Sequence, residues 1–404
     1  MYTLYGNGIN DDAPAIQEML DSGVSEVKLP VPQKHYYIGR TLKIHSNQTL
    51  VLGETTTIKL MPGSNCSMLA NAEENAHDIA VVGGIWDCNN KEQAPNPIRA
   101  FLDKRTGAMP GSDGCHLDAN PETVVDFIPD GWCGSGMRFY KVERFSIHHL
   151  TVKDPTTYCI EMAYVRYFTV ENIKFDQNLG NPTAENMDGI HLNGGCRFGS
   201  IRNVQGTCYD DIVALNADDG CDGPIEDVEI DGVFGENSLR GVRLLSLKSD
   251  VARITISNVF GTFYQNCVGL TYFFPRSGNR GQMKHIAIRN IYGQNAPRRP
   301  EYNKNGPYCF SYVWIDSDLD IDFVSIDNLC RTESLAENET LKVCGNTKIK
   351  TMSLSNIVHD NKTGTPIPFM TNEATIGKLY MYNVDSGNDE LLVNKGTINE
   401  IITK

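Results

Sequence analysis

Apolar and polar residues alternate along most of this chain, and the alternation keeps breaking at an Asn or Asp that is followed by an aliphatic residue. The pattern reads FTVENI at 168–173, IRNV at 201–204, VEIDGV at 228–233 and ITISNV at 254–259. It continues as IAIRNI at 286–291, VSIDNL at 324–329, MSLSNI at 352–357 and LYMYNV at 379–384. From Asn172 onward the turn residues Asn203, Asp231, Asn258, Asn290, Asn328, Asn356 and Asn383 follow at intervals of 31, 28, 27, 32, 38, 28 and 27. His149 holds an earlier equivalent place, 23 residues before Asn172.

A repeat of this length marks a stacked architecture. Each unit consists of period-two strands broken by Asn or Gly turns, with no room for a helix between them. Parallel strands ordinarily need a covering crossover. Without helices, the remaining solution is a coil in which each turn of chain adds one rung to several parallel sheets, with Ile, Val and Leu stacked inside. Asn tolerates the left-handed backbone of such a turn and can bond the Asn one coil away. A β-sandwich would need hairpin turns every 8–12 residues, and none are found. The pattern therefore predicts an all-β, right-handed parallel β-helix, a single domain over 1–404.

The first 30 residues read as a cap. Asp11-Asp12-Ala13-Pro14 supplies an N-cap and a first-turn proline, Ile16, Met19 and Leu20 form one apolar face, and Gly23 gives a stop. One short helix there would cover the open end of the solenoid. Residues 89–135 interrupt the repeat with Pro, Gly and Asp and read as a long loop insertion.

Composition narrows the partners. The 404 residues carry a net charge of −14, which argues against nucleic acid or an anionic membrane. No apolar run approaches the 18 residues of a membrane span. Met1-Tyr2-Thr3-Leu4 leads directly into Gly, Asn and Asp with no apolar leader, so the compartment stays open: cytoplasmic, or secreted with a leader already removed. The 12 cysteines form no Cys-x-x-Cys pair and show no zinc spacing. Several sit in apolar runs, and buried reduced thiols are expected. No cofactor or metal motif is found.

Candidate chemistry concentrates in NMDG at 186–189 and DDIVAL at 210–215. Asp188 lies 22 residues before Asp210, and Asp188 and Asp211 each open an apolar, strand-like run. On neighbouring rungs about 4.8 Å apart, the three carboxylates would converge at separations of roughly 6–9 Å, where an acid and a base can flank a glycosidic bond. Asp-Gly and Asp-Asp are also ordinary turn chemistry, so the pattern alone leaves a structural role open.

Taken together, these features resemble the pectin-lyase-like β-helices, and most closely glycoside hydrolase family 28, the polygalacturonases and their relatives. The likeness covers about residues 5–290. YGNGINDDAPAIQ at 5–17 is similar to the family's opening, and GGIWDCN at 83–89 to its Gly-x-Ile-Asp-Gly-x-Gly turn. The 186–189 and 210–215 motifs resemble its Asn-Thr-Asp-Gly and Asp-Asp-Cys-Ile-Ala-Ile. The resemblance implies an inverting hydrolase of a pectin-like or other complex polysaccharide, with Asp210 as general acid and Asp188 and Asp211 holding and deprotonating the attacking water. Asn186 belongs to the same matched motif and is expected at the substrate.

The chain also departs from the family. The Gly-His-Gly turn that follows the paired Asp has no counterpart in NADDGCDG at 216–223, and Arg-Ile-Lys becomes Arg243-Leu244-Leu245. Arg243 is expected to bind substrate; without the Lys, a uronate would lose a charge-assisted contact on the order of 1.5–3 kcal/mol. Arg276, Arg240, Arg280 or Lys284 could compensate. By strand alternation, His191 projects from the same face as Arg243 and could replace the missing His. Tyr272 is expected as a sugar platform, with Tyr312 or Trp314 on later coils, core filling being the competing role of each. Two other classes of function remain open: a non-catalytic carbohydrate-binding or adhesin solenoid, and a polysaccharide lyase using Ca²⁺ and Arg243.

Overall fold

The computed structural model describes residues 3–95, 134–219, 221–272, 280–297 and 310–403. They wind as a right-handed parallel β-helix in which every strand pairing is parallel and joins a strand to its equivalent one coil away. The inner face shows why. Met137, Ile160, Ile190, Val213, Val242, Val268, Val313, Leu341 and Met370 stand in unbroken register through eight pairings. All are buried, and full burial of each such side chain contributes about 1.5–3 kcal/mol. No single coil can bury this stripe by itself; stacking does it.

Asn at the sharp turn gives the coil its second column. Asn172, Asn203, Asn258, Asn290, Asn328, Asn356 and Asn383 all have φ between 51° and 57°, as does His149 at 56°. Their amides bond along the axis: Asn203 Nδ2 donates to Asn172 Oδ1 at 2.5 Å, Asn290 to Asn258 at 3.0 Å, Asn328 to Asn290 at 2.9 Å and Asn383 to Asn356 at 3.0 Å. One expected member is displaced. Asp231 pairs with Arg202 and Ser257, and Gly232, at φ 81°, takes the left-handed position instead. Glycine enters that region without strain, which leaves the Asp231 carboxylate free to accept from Asn258 Nδ2 at 2.6 Å.

The helix at the N-terminus runs Ala13–Leu20 and buries Ala13, Ala15, Ile16 and Leu20. Its capping differs from the expectation in detail: Asp11 Oδ1 accepts the Ala13 N–H at 2.9 Å, while Asp12 accepts the Tyr5 and Gly6 N–H groups. Of the expected 89–135 insertion, Asn90–Glu92 form a short 3₁₀ turn, and 96–133 lie outside the described residues. Among the described residues no two cysteines form a disulfide, and seven of the nine described cysteines are buried.

Candidate active site

Strand register brings the Asp motifs together on one outer face. Asp211, Arg240 and Asn266 stand on successive rungs, and three residues further along each strand His191, Ala214, Arg243, Gly269 and Trp314 form a second column. Asp188 lies one rung before Asp211, because the Gly189 N–H donates to the Asp211 carbonyl at 2.9 Å and the Asp211 N–H donates to Asp188 Oδ1 at 3.0 Å. Gly189 is needed here, since a Cβ would meet the Ile212 carbonyl oxygen at 2.5 Å and the Phe175 ring at 2.6 Å. One oxygen from each of Asp188, Asp210 and Asp211 lies within 4.8 Å of the others.

One expectation about this patch is corrected, and its setting is more enclosed than a surface cleft. The carboxylates are closer together than the 6–9 Å read from strand spacing, and they do not line an open cleft. The side chains of Asp188 and Asp211 are 2% and 0% exposed; Asp210 is 13% exposed and forms the outer edge. Cations draw the cluster inward. Arg240 Nη1 lies 2.6 Å from Asp210 Oδ1 and 3.2 Å from Asp211 Oδ1. Arg243 Nε lies 2.7 Å from Asp211 Oδ2, a contact of charges without the alignment of a directed hydrogen bond. His191 Nδ1 meets Asp188 Oδ2 at 2.6 Å, and the imidazole stacks on Tyr158 at 3.9 Å between ring centres.

Burial raises the Asp188 carboxyl to about 6, the His191 contact opposing it and the charges of Asp211 and Asp210 adding to it. For His191 burial favours the neutral ring, but the hydrogen bond and charge of Asp188 outweigh it and raise its proton affinity. The two groups thus hold a proton between them more tightly than either would in water. Burial also works against Arg243, and the charges of Asp211, Asp210 and Asp188 more than offset it. Two guanidiniums and one shared proton therefore balance three carboxylates. A divalent cation does not fit this arrangement, because it would have to enter beside Arg240 and Arg243 and displace both from their carboxylates.

The remaining expected residues are placed unequally. Asn186 takes a left-handed backbone, φ 53°, in the turn that delivers Asp188. Tyr272 is not presented as a platform: it packs into the core with Arg280 over its ring at 5.3 Å. Tyr312 is wholly buried, and Trp314 is partly exposed. Leu245 is buried, in register with Asn216 and Thr271. Arg276 lies outside the described residues. Sequence reasoning treated Arg240 only as a spare cation and missed Tyr158 and Asn266. The steps from Asp211 to Arg240 and from Arg240 to Asn266, 29 and 26 residues, equal those from Asn203 to Gly232 and from Gly232 to Asn258, so the signal is readable only once Gly232 is known to hold the turn.

No family model and no curated protein matches the sequence. Solved structures do match its fold. The family 28 exopolygalacturonase of Yersinia enterocolitica superposes with a TM-score of 0.59 at 13% identity, over 98% of this chain and 76% of the other. The endo-xylogalacturonan hydrolase from Aspergillus tubingensis gives 0.57 at 14% identity, over 98% of both chains. The surface protein and adhesin PfbA of Streptococcus pneumoniae gives 0.51 at 14%, over all of this chain and 98% of the other.

Proposed function

Starting from the polygalacturonase-like β-helix fold of this chain, we propose that the protein is a glycoside hydrolase of a pectin-like or other complex polysaccharide, acting with inversion. The observation that carries this reading is the convergence of Asp188, Asp210 and Asp211 within 4.8 Å on one outer face of the solenoid. Fold alone does not fix an activity, and an adhesin shares this one.

Two carboxylate oxygens no more than 4.8 Å apart can hold one water between them, since two hydrogen bonds of about 2.8 Å meet across that span at an open angle. In the proposed step Asp188 and Asp211 hold that water. Its oxygen attacks the anomeric carbon, and one of its protons passes to Asp188. Asp210, the outermost of the three, takes up a proton from solvent once the seated glycan has displaced Arg240 and gives it to the departing glycosidic oxygen as the bond breaks. Arg240 stabilises the charged form of Asp210, so turnover requires the Asp210–Arg240 contact to yield when the glycan is seated. Arg243, already spent on Asp211, offers little to a uronate, so a neutral or mixed glycan is the better substrate. The test is a polysaccharide panel with NMR of the released ends, on the wild type and Asp210→Asn. New ends of single inverted configuration, absent with the variant, are expected; retained configuration would remove the inverting mechanism.

The Asp210–Arg240 contact also favours a second reading, a glycan-binding solenoid without turnover. It predicts glycan binding with no product from any member of the panel and no effect of Asp210→Asn beyond affinity.

A further inference from the structure

On the other side of the 207–210 turn, the next sheet carries a groove on its outer face that the Asp cluster does not use. Thr151, Lys174, Gln205, Phe234, Phe260 and Tyr292 stand there on successive rungs. The three rings form a ladder, with centres 5.4 and 5.2 Å apart and planes inclined by 5° and 16°. Those spacings exceed the contact distance of about 3.5–4.0 Å between carbon atoms, so the rings are offset like shingles. Phe234 and Phe260 stay 40% and 36% exposed. The ladder stops at Phe234, and the rungs before it carry polar side chains.

A single exposed ring is ordinary, but adjoining ones with a polar rim mark a contact surface. Tyr167 and Phe198 are also exposed and stacked, yet each lies under its own cation, Arg166 at 5.6 Å and Arg197 at 5.9 Å. Among the described residues no cation covers Phe234 or Phe260. They open instead into a groove of about 630 Å³, inside the roughly 300–1,000 Å³ range of small-ligand sites. Bare backbone lines part of it. Gly206 and Gly261 have φ of 146° and 138°, and a Cβ on either would strike the carbonyl oxygen of the preceding rung, at 2.2 and 1.8 Å.

The rest of the lining is polar. Gln205 brings an amide, Thr151 and Thr207 bring hydroxyls, and Lys174 lines the groove together with Asp176 and Glu236. A flat apolar surface beside amide and hydroxyl groups suits a sugar, whose C–H face stacks on a ring while its hydroxyls give and take hydrogen bonds at the edge. Charges of both signs leave no field to attract a polyanion. A second copy of the chain would cover the rings only by desolvating that charged rim. Position also favours a polymer: Thr207 is three residues before Asp210, at most about 11 Å of chain, so one glycan strand can reach both places.

We infer that this groove is a second glycan-binding site, which holds a neutral stretch of polysaccharide against Phe234 and Phe260 while another stretch lies at the Asp cluster. This inference rests on the glycan-directed reading above but not on turnover.

The experiment uses Asp210→Asn as a non-hydrolysing background and measures affinity electrophoresis through gels containing galactan, arabinan, xyloglucan or polygalacturonate. Adding Phe234→Thr and Phe260→Thr together removes the rings and keeps good strand formers on the sheet. The double change is expected to weaken binding of the neutral polysaccharide that the background retains by at least tenfold. Gln205→Ala, which leaves the ladder intact, is expected to weaken it threefold or more, and it decides the matter if the double variant does not fold. Unchanged affinity in the deciding variant, or no neutral polysaccharide retained by the background, overturns the site. A dimer in sedimentation that the double variant lacks also overturns it and gives the rings to a second copy. Ring-dependent binding by a wild-type protein that releases no product would instead remove the hydrolase and leave the groove standing.

Discussion

Two buried ionic clusters sit on this solenoid, and they are completed differently. Near the C-terminal coils, Arg331 and Glu333 are both fully buried and paired at 2.8 Å. Arg331 makes four hydrogen bonds, Nε to Glu333, Nη2 to Asn295 Oδ1, and Nη1 to the Asn338 carbonyl and Thr340 Oγ1, and its Nη2 also lies against Glu333. Glu333 in turn accepts the N–H groups of Asn295, Leu335 and Ala336, and Tyr312 lies under the guanidinium at 5.5 Å. The Asp188–Asp210–Asp211 cluster, with Arg240, Arg243 and His191, is nearly as buried and carries more charges, yet atoms around it remain open. His191 Nε2, Asn193 Oδ1, Asn216 Oδ1 and both polar atoms of Asn266 are buried without partners. A buried charge network whose own members are paired fixes the fold, even with the Tyr312 hydroxyl beside it unpartnered; one with several open atoms around it is built to receive something.

Breaking one partner in each cluster separates these roles most sharply. Asp210→Asn is expected to lower kcat by at least 10²–10⁴-fold, the range of a lost general acid, with the melting temperature nearly unchanged because its side chain is at the surface edge. Glu333→Gln should do the reverse, costing about 3–5 kcal/mol in denaturant unfolding, with activity per folded molecule retained. If Asp210→Asn unfolds the protein, the cluster is a staple like the other.

The pH response should differ as well. Asp188 is raised from 3.8 to about 6 and His191 is raised above 6.5, so the native state binds protons more tightly than the unfolded chain. The stability this supplies is complete below the unfolded values and is lost as pH rises through the folded ones. Between pH 5 and pH 8 the wild type should lose on the order of 1–3 kcal/mol more than Asp188→Asn, read by urea unfolding at each pH. With Asp188 as the base that needs its charge, kcat/KM should fall as pH drops below about 6. A rate that instead rises there would make Asp188 the acid.

The smallest effect concerns the turn column. Asn290→Ala removes the bond to Asn258 and places a Cβ-bearing residue with no local side-chain bond at φ 57°. A loss of about 1–2 kcal/mol is expected, with no change in KM.

Much of this was legible in advance because a solenoid writes its period into the chain. Asn172 and the later Asn residues announced both the coil and its axis, and only Asp231 was misplaced, since its neighbour Gly232 enters the left-handed turn more cheaply. The site was half legible. Motif spacing placed Asp188, Asp210 and Asp211 on adjoining rungs, and strand alternation placed His191 on the face of Arg243. Burial was not legible, because it depends on the turns between strands, whose lengths do not reveal how closely they pack. Tyr272 was misread for a related reason: just past the strand end, alternation no longer says which face a ring takes. Arg240 went unassigned because its partner is fixed by register across coils rather than by any local motif.

The central claim is that the three aspartates cut a glycosidic bond, and anomeric NMR on a panel of pectic and neutral polysaccharides tests it most directly. Wild-type protein should release new reducing ends of inverted configuration from a neutral or mixed glycan, more readily than from polygalacturonate, and Asp210→Asn should release none. No product from any polysaccharide, or equal product from Asp210→Asn, would contradict it.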